Sequence, residues 1–309
     1  MSSTARLAAA AASHYICVTK RGVAVGWRVR EDEPMDHWTP EDIAWQDFDR
    51  SRVDDDTIRI IKAAALVEHN GEDYARYLAN VFEGDDAFVD AAWRWAAEEV
   101  QHGVVLGRWA RMADPSWDMD AARQCFRDGY DQVNLDVHAS VRGSRCCELI
   151  ARCVVEVGTS SYYTALADSV DEPVLKQICK RIAADEFRHY KLFYDHMKRY
   201  LADEKPMLWE RVKVALGRMA EGEDDELAYA YYAANIATGP YDRKACAAAH
   251  GSKALSRYQP GHIKLATNMT MKAVGLKPHS RMGTWFGRVV WRLFDWRRGR
   301  MIKAANAAV

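Results

Sequence analysis

The sequence predicts an all-α protein, a four-helix bundle with additional C-terminal helices. Eight prolines and eighteen glycines are few for 309 residues, and between them apolar residues recur at three- and four-residue intervals. The uninterrupted segments run near 30 residues. That is about 45 Å of helix each, a length that suits a four-helix bundle.

Residues 1–34 do not share this pattern and read as a disordered N-terminal arm with one strand-like stretch, Tyr15 to Val18. Met35, just before Asp36-His37-Trp38, is an alternative start. The first long helix is expected from about Asp54 to Glu83, opening on Asp54-Asp55-Asp56, acids that suit the positive end of a helix dipole. The second spans about Asp85 to Ala113 and stops at Asp114-Pro115, because proline disfavours helical backbone in the residue before it. A shorter helix covers Asp118 to Val133. The third long helix runs from about Ser140 to Ser169, and the fourth from Glu172-Pro173, with proline tolerated in the first turn, to about Ala202. After Pro206, shorter helices are separated by breaks near Gly239-Pro240, Pro260-Gly261 and Pro278. The organisation is an arm (1–34), a bundle (35–205) and a C-terminal extension (206–309).

Lys and Arg number 43 against 44 Asp and Glu, a net charge of −1 that argues against a globally basic nucleic-acid binder. The total hides a polarity. Residues 277–309 hold eight basic residues and one acid, which leaves residues 1–276 with a net of −8. Seven cysteines without a CxxC pair read as unpaired, mostly buried thiols of a cytoplasmic protein. The run Leu7 to Ala12 after Arg6 is too short and Ala-rich for a secretory signal. No stretch reaches the roughly 18 to 20 apolar residues that a spanning helix needs.

Two Glu-x-x-His motifs stand out, Glu99-Val100-Gln101-His102 and Glu186-Phe187-Arg188-His189. Residues at i and i+3 share a helix face, so each motif can offer a carboxylate and an imidazole to one point. Each also has a companion: Glu68 lies 31 residues before Glu99, and Glu156 lies 30 before Glu186. Folding the two halves together converges four carboxylates and two imidazoles, the donor set of dinuclear iron or manganese bundles. Glu68 follows Ala63-Ala64-Ala65-Leu66-Val67, and Glu156 sits within Cys153-Val154-Val155-Glu156-Val157. Carboxylates in such apolar runs are costly to bury without a partner, and two cations would supply one. Glu72, one turn after Glu68, and Glu98, beside Glu99, are rival ligands. The matched offset favours Glu68, and the i, i+3 motif favours Glu99.

Trp95-Ala96-Ala97-Glu98-Glu99-Val100-Gln101-His102-Gly103 and the stretch Ile178 to His189 resemble the two Glu-x-x-His helices of the soluble acyl-carrier-protein desaturases, of the ferritin-like superfamily. Glu68 with Tyr74 and Leu78, and Glu156 with Thr159, are similar to that family's other two ligand helices. The resemblance covers about residues 55 to 202; the C-terminal third departs from it, and the loop between the first two ligand helices is shorter. It implies a ferritin-like bundle holding two Fe ions, with Mn or a mixed Mn/Fe pair as alternatives, through Glu68, Glu99, His102, Glu156, Glu186 and His189. It also implies O2 activation and desaturation of a lipid-like or carrier-bound acyl substrate, with a homodimer as the assembly. Electrons would come from an external donor, since neither a Rossmann glycine signature nor CxxC pairs occur. Asp185 is a candidate to fix an imidazole from behind. Thr159 is a candidate proton relay or oxygen-binding group, its alternative being a hydroxyl bonded to its own helix backbone. The other functional readings are a di-iron hydroxylase or oxygenase on another small molecule, and a rubrerythrin- or ferritin-like iron-binding or peroxide-detoxifying protein.

Trp93, Trp95, Trp109, Tyr162-Tyr163 and Tyr229-Ala230-Tyr231-Tyr232 read as core aromatics before any channel or electron path. The segment 281–303 mixes Trp285, Phe286, Val289, Val290, Leu293, Phe294 and Trp296 with Arg288, Arg292, Arg297, Arg298 and Arg300. It reads as a basic amphipathic helix, either packed on the bundle or contacting a membrane surface or an acidic carrier.

Overall fold

The computed structural model describes residues 15–19, 22–26, 38–130, 137–221, 225–236, 238–278 and 280–307. Within the expected N-terminal arm, β1 (Tyr15–Thr19) and β2 (Gly22–Gly26) form an antiparallel ribbon with Tyr15 opposite Gly26, in a unit of its own. The strand expected at Tyr15 to Val18 is therefore present with a partner; the rest of the arm and Met35 lie outside the described residues.

The other described residues are all-α: among them α1 (Asp55–Glu68), α2 (Gly71–Val81), α3 (Asp86–Ala113), α4 (Met119–Gly129), α5 (Arg145–Ser169) and α6 (Pro173–Glu204) precede five C-terminal helices. Those are α7 (Leu208–Glu221), α8 (Glu226–Asn235), α9 (Arg243–Leu255), α10 (Pro260–Ala273) and α11 (Arg281–Ala307).

Local chemistry sets the boundaries. Asp54, Asp85, Asp118 and Ser144 each accept a backbone N–H of the first turn that follows, satisfying donors a helix start would otherwise leave orphaned. Glu172 does more at the head of α6: buried, it accepts Val174 N, Leu175 N, Asp49 N and the Trp109 indole N–H, at 2.7 to 3.2 Å. Pro173 occupies the first helical position, as its fixed φ allows.

Three expected helices are corrected. The span 54–83 is two helices, broken at His69-Asn70. A Cβ on Gly71 would lie 2.7 Å from Glu99 Cβ, and one on Gly103 would lie 2.6 Å from the His69 amide nitrogen. The break is the form in which the chain passes α3 at this distance, and it makes Glu68 the last residue of α1 rather than a mid-helix residue. The third long helix begins at Arg145, not Ser140, because Gly143 turns the chain at φ +90° and Ser144 caps the helix. The short helix ends at Gly129 rather than Val133; residues 131–136 lie outside the described residues.

Two apolar clusters fill the bundle, one above and one below a polar layer. Along α1–α2 and along α6 the first cluster comes first: Ile58 to Leu66 and then Ala75 to Val81, Val174 to Ala183 and then Tyr190 to Met197. Along α3 and α5 the order is reversed, so helices of opposite direction alternate through the same layers. Trp109, Trp95 and Tyr163 are buried within them, as the reading of these aromatics as core expects. Each fully buried large side chain contributes about 1.5–3 kcal/mol. Cys125, Cys146, Cys147, Cys153, Cys179 and Cys246 are free thiols, five of them buried.

Candidate metal centre

Between the two apolar clusters, four helices each deliver one part of the polar layer. α1 ends on Glu68, α3 brings Glu99 and His102, α5 brings Glu156, and α6 brings Glu186 and His189. None of the six is more than 7% exposed. Their donor atoms form two sets, each with its atoms within 4.8 Å of one another: Glu68, Glu99, His102 and Glu186, and Glu99, Glu156, Glu186 and His189. Glu99 and Glu186 belong to both, so the sets are adjacent and share two carboxylates.

Both imidazoles point the same way round. His102 Nδ1 faces Glu186 Oε1 at 3.3 Å and Glu68 Oε2 at 3.7 Å, while its Nε2 meets Asp185 Oδ2 at 2.9 Å. His189 Nδ1 faces Glu99 at 3.0 Å and Glu156 and Glu186 at 3.6 Å, while its Nε2 meets Glu98 Oε2 at 2.9 Å. A ring that donates Nε2–H to an outer carboxylate presents the Nδ1 lone pair inward, the arrangement that metal-binding histidines use.

The inward atoms are left over by the protein. Glu99 Oε1, His102 Nδ1, Glu156 Oε1, Glu186 Oε1 and His189 Nδ1 are buried without a hydrogen-bond partner. Five such atoms converge on one layer, and each buried unsatisfied group in a native structure calls for an explanation, an ion among them. Glu68 adds a second anomaly, since a carboxylate at the last residue of a helix opposes the dipole's negative end. Burial raises the Glu99 carboxyl well above the ordinary carboxylate range, and Glu186 and Glu68 add repulsion. Burial likewise pushes Glu156 up to about 8, against the pull of His189. Burial acts to raise Glu186 too, but His102 and His189 outweigh it and hold Glu186 well below the ordinary range. For both imidazoles burial lowers the pKa, and the carboxylates around them outweigh it and raise it. Without cations the layer has to share protons. Four carboxylates balance two divalent cations in charge, and oxygen-rich donors with two imidazoles suit iron or manganese. The residues present thus fit a dinuclear metal site.

Of the rivals, Glu72 is exposed on α2 and Glu98 sits on the outer side of His189. Asp185 backs His102 and also accepts the Trp38 indole N–H at 2.8 Å. Thr159, half-buried on α5, donates to Glu186 Oε2 at 2.7 Å, nearer than its own backbone carbonyls of Val155 and Glu156 at 3.3 Å. Sequence reasoning missed three partners. Trp38 stacks at 7° to the His102 ring, with centroids 6.2 Å apart. Tyr163 donates to Glu68 Oε1 at 2.5 Å. Arg188 joins the two outer carboxylates, with Nη1 2.5 Å from Asp185 and Nη2 3.1 Å from Glu98. Arg188 lies inside the second Glu-x-x-His motif, which was its only signal.

No curated protein matches the chain. A family model described as fatty acid desaturase matches residues 41–210, more than half of the chain and a span that holds all six converging residues. The chain therefore belongs to the fatty acid desaturase family.

Proposed function

We propose that the protein is an O2-activating dinuclear iron oxidoreductase that desaturates a lipid-like or carrier-bound acyl substrate. The observation that carries this reading is the pair of adjacent donor sets, with five orphaned buried atoms, in a chain of the desaturase family. Two iron ions held by Glu68, Glu99, His102, Glu156, Glu186 and His189 would supply the oxidising power, with O2, that takes hydrogen from an unactivated carbon. Manganese or a mixed pair fits the same donors.

The chain's own residues do the rest. Asp185 and Glu98 fix the tautomer and direction of the two imidazoles. Thr159 Oγ1 holds a proton against Glu186, a position from which it can pass one to or from the centre. The apolar clusters above and below keep water from the layer. Electrons come from an external donor.

Metal content tests the centre. The purified protein, reconstituted anaerobically, is expected to hold two metal ions per chain, and the double variant Glu99→Ala with Glu186→Ala fewer than one. Equal content in both would overturn the reading. Supplied with an electron donor, O2 and cell extract, the protein is expected to yield a product with a new double bond by mass spectrometry. A new hydroxyl instead would make it a hydroxylase, and iron mineral without a modified product would make it a storage protein.

A further inference from the structure

The last helix carries two faces. At about 100° per residue, Trp285, Phe286, Val289, Leu293 and Trp296 fall within one arc of about 100°, while Trp291, Phe294 and Met301 fall outside it. The second group packs. Phe294 meets Tyr258 at 5.2 Å between centroids and stacks with Trp291, and Met301 lies over Gly251 of α9. Of the first group only Val289 is partly buried. Trp285, Leu293 and Trp296 are 61–62% exposed and Phe286 is 40% exposed. The helix is already held to the body by one side, so the other is not a core face waiting for its own chain.

The charges around this stripe have one sign. Arg288 and Arg292 flank it on one edge, Arg297 on the other, and Arg300 and Lys303 follow at its C-terminal end. Arg288, Arg292, Arg300 and Lys303 have no acidic partner among the described residues. The Arg300 guanidinium sits 4.9 Å above the Trp296 ring. Asp295, the one acid of the segment, points away from the stripe and pairs with Arg298.

We propose that α11 docks the protein in the plane of an anionic bilayer surface, with the Trp285–Trp296 stripe among the lipid chains and the flanking arginines on the headgroups. No helix among the described residues is long and apolar enough to cross a membrane, so the attachment is peripheral. The stripe is a convex ridge about 17 Å long. A bilayer takes up such a ridge by parting its headgroups, and indole rings with basic side chains are the composition that settles at that depth. An acidic carrier protein would satisfy the arginines but would need a matching groove for two tryptophans. The proposal does not depend on the chemistry at the metal centre.

Sedimentation of the full-length protein with vesicles tests it. Binding is expected to equimolar phosphatidylglycerol and phosphatidylcholine vesicles, and to be at least about tenfold weaker to phosphatidylcholine alone, since each basic residue near the surface adds to the attraction. Two triple variants, Trp285→Ser/Leu293→Ser/Trp296→Ser and Arg288→Gln/Arg292→Gln/Arg300→Gln, are each expected to lose at least tenfold while keeping the wild-type melting temperature. Three outcomes would overturn it: no binding of the wild type to anionic vesicles, binding unchanged in both variants, or capture by an acidic acyl carrier protein through the same residues with no vesicle binding.

Discussion

His102 and His189 are aimed from behind, and the quality of that aim is testable one residue at a time. Asp185→Asn keeps the size of the group that meets His102 Nε2 at 2.9 Å but removes the charge that fixes the tautomer. Metal affinity is expected to fall about 10- to 100-fold, measured by competition with a chelator, while the fold survives. Unchanged affinity would make Asp185 a structural residue only. Asp185 was legible in the sequence because it adjoins Glu186, and the six converging residues were legible because each half repeats one spacing. Trp38 was not, since its bond to Asp185 spans 147 residues and no periodicity ties a residue ahead of α1 to the centre of α6. Glu98 was legible only as a rival ligand. Two adjacent acids at 98 and 99 cannot be ranked by helical spacing alone, and their difference lies in which side of the His189 ring each one meets.

The break between α1 and α2 shows how an element can be right in place and wrong in continuity. Apolar periodicity runs through residues 55–81 and hides the break, because the cause is a contact with another helix, not a local breaker. Asn70-Gly71 is the only local hint. Gly103→Ala would place a methyl group 2.6 Å from the His69 amide nitrogen, where nothing flexible can yield. In a helix interior alanine should gain about 0.5–1 kcal/mol over glycine, so the substitution sets propensity against packing. Overpacking of a buried contact costs about 1–3 kcal/mol and wins. The variant is expected to melt several degrees lower and, because His69 adjoins Glu68, to bind metal more weakly. A higher melting temperature would show that the junction can relax.

At the scale of the whole molecule, the polar layer divides a bundle that would otherwise have one continuous core, and its protons couple stability to pH. In the metal-free protein Glu99 and Glu156 are raised, Glu156 to about 8, and both imidazoles are raised as well. Between about pH 5 and 8 these four groups therefore bind more protons in the folded chain than in the unfolded one; they outnumber His69, His196 and His250, which burial lowers and which act with the opposite sign, so stability falls as pH rises. Glu186, held low, has the opposite sign, but its stabilisation is fully present above its ordinary carboxylate value of 4.5, so it does not vary across that window. Metal ions bound at the layer would take the place of those protons and stabilise only the folded state. The expected outcome is a melting temperature that declines from pH 5 to 8 with chelator present and does not decline with iron bound, since metal-bound imidazoles cannot take up the protons that the unfolded histidines bind, so that the gap between the two widens with pH. At about 2–4 °C per kcal/mol for chains of 150–250 residues, the widening should reach several degrees. Parallel melting curves across this range would mean that the six residues keep their protons with metal present, and the layer would then be a hydrogen-bonded core rather than a metal centre.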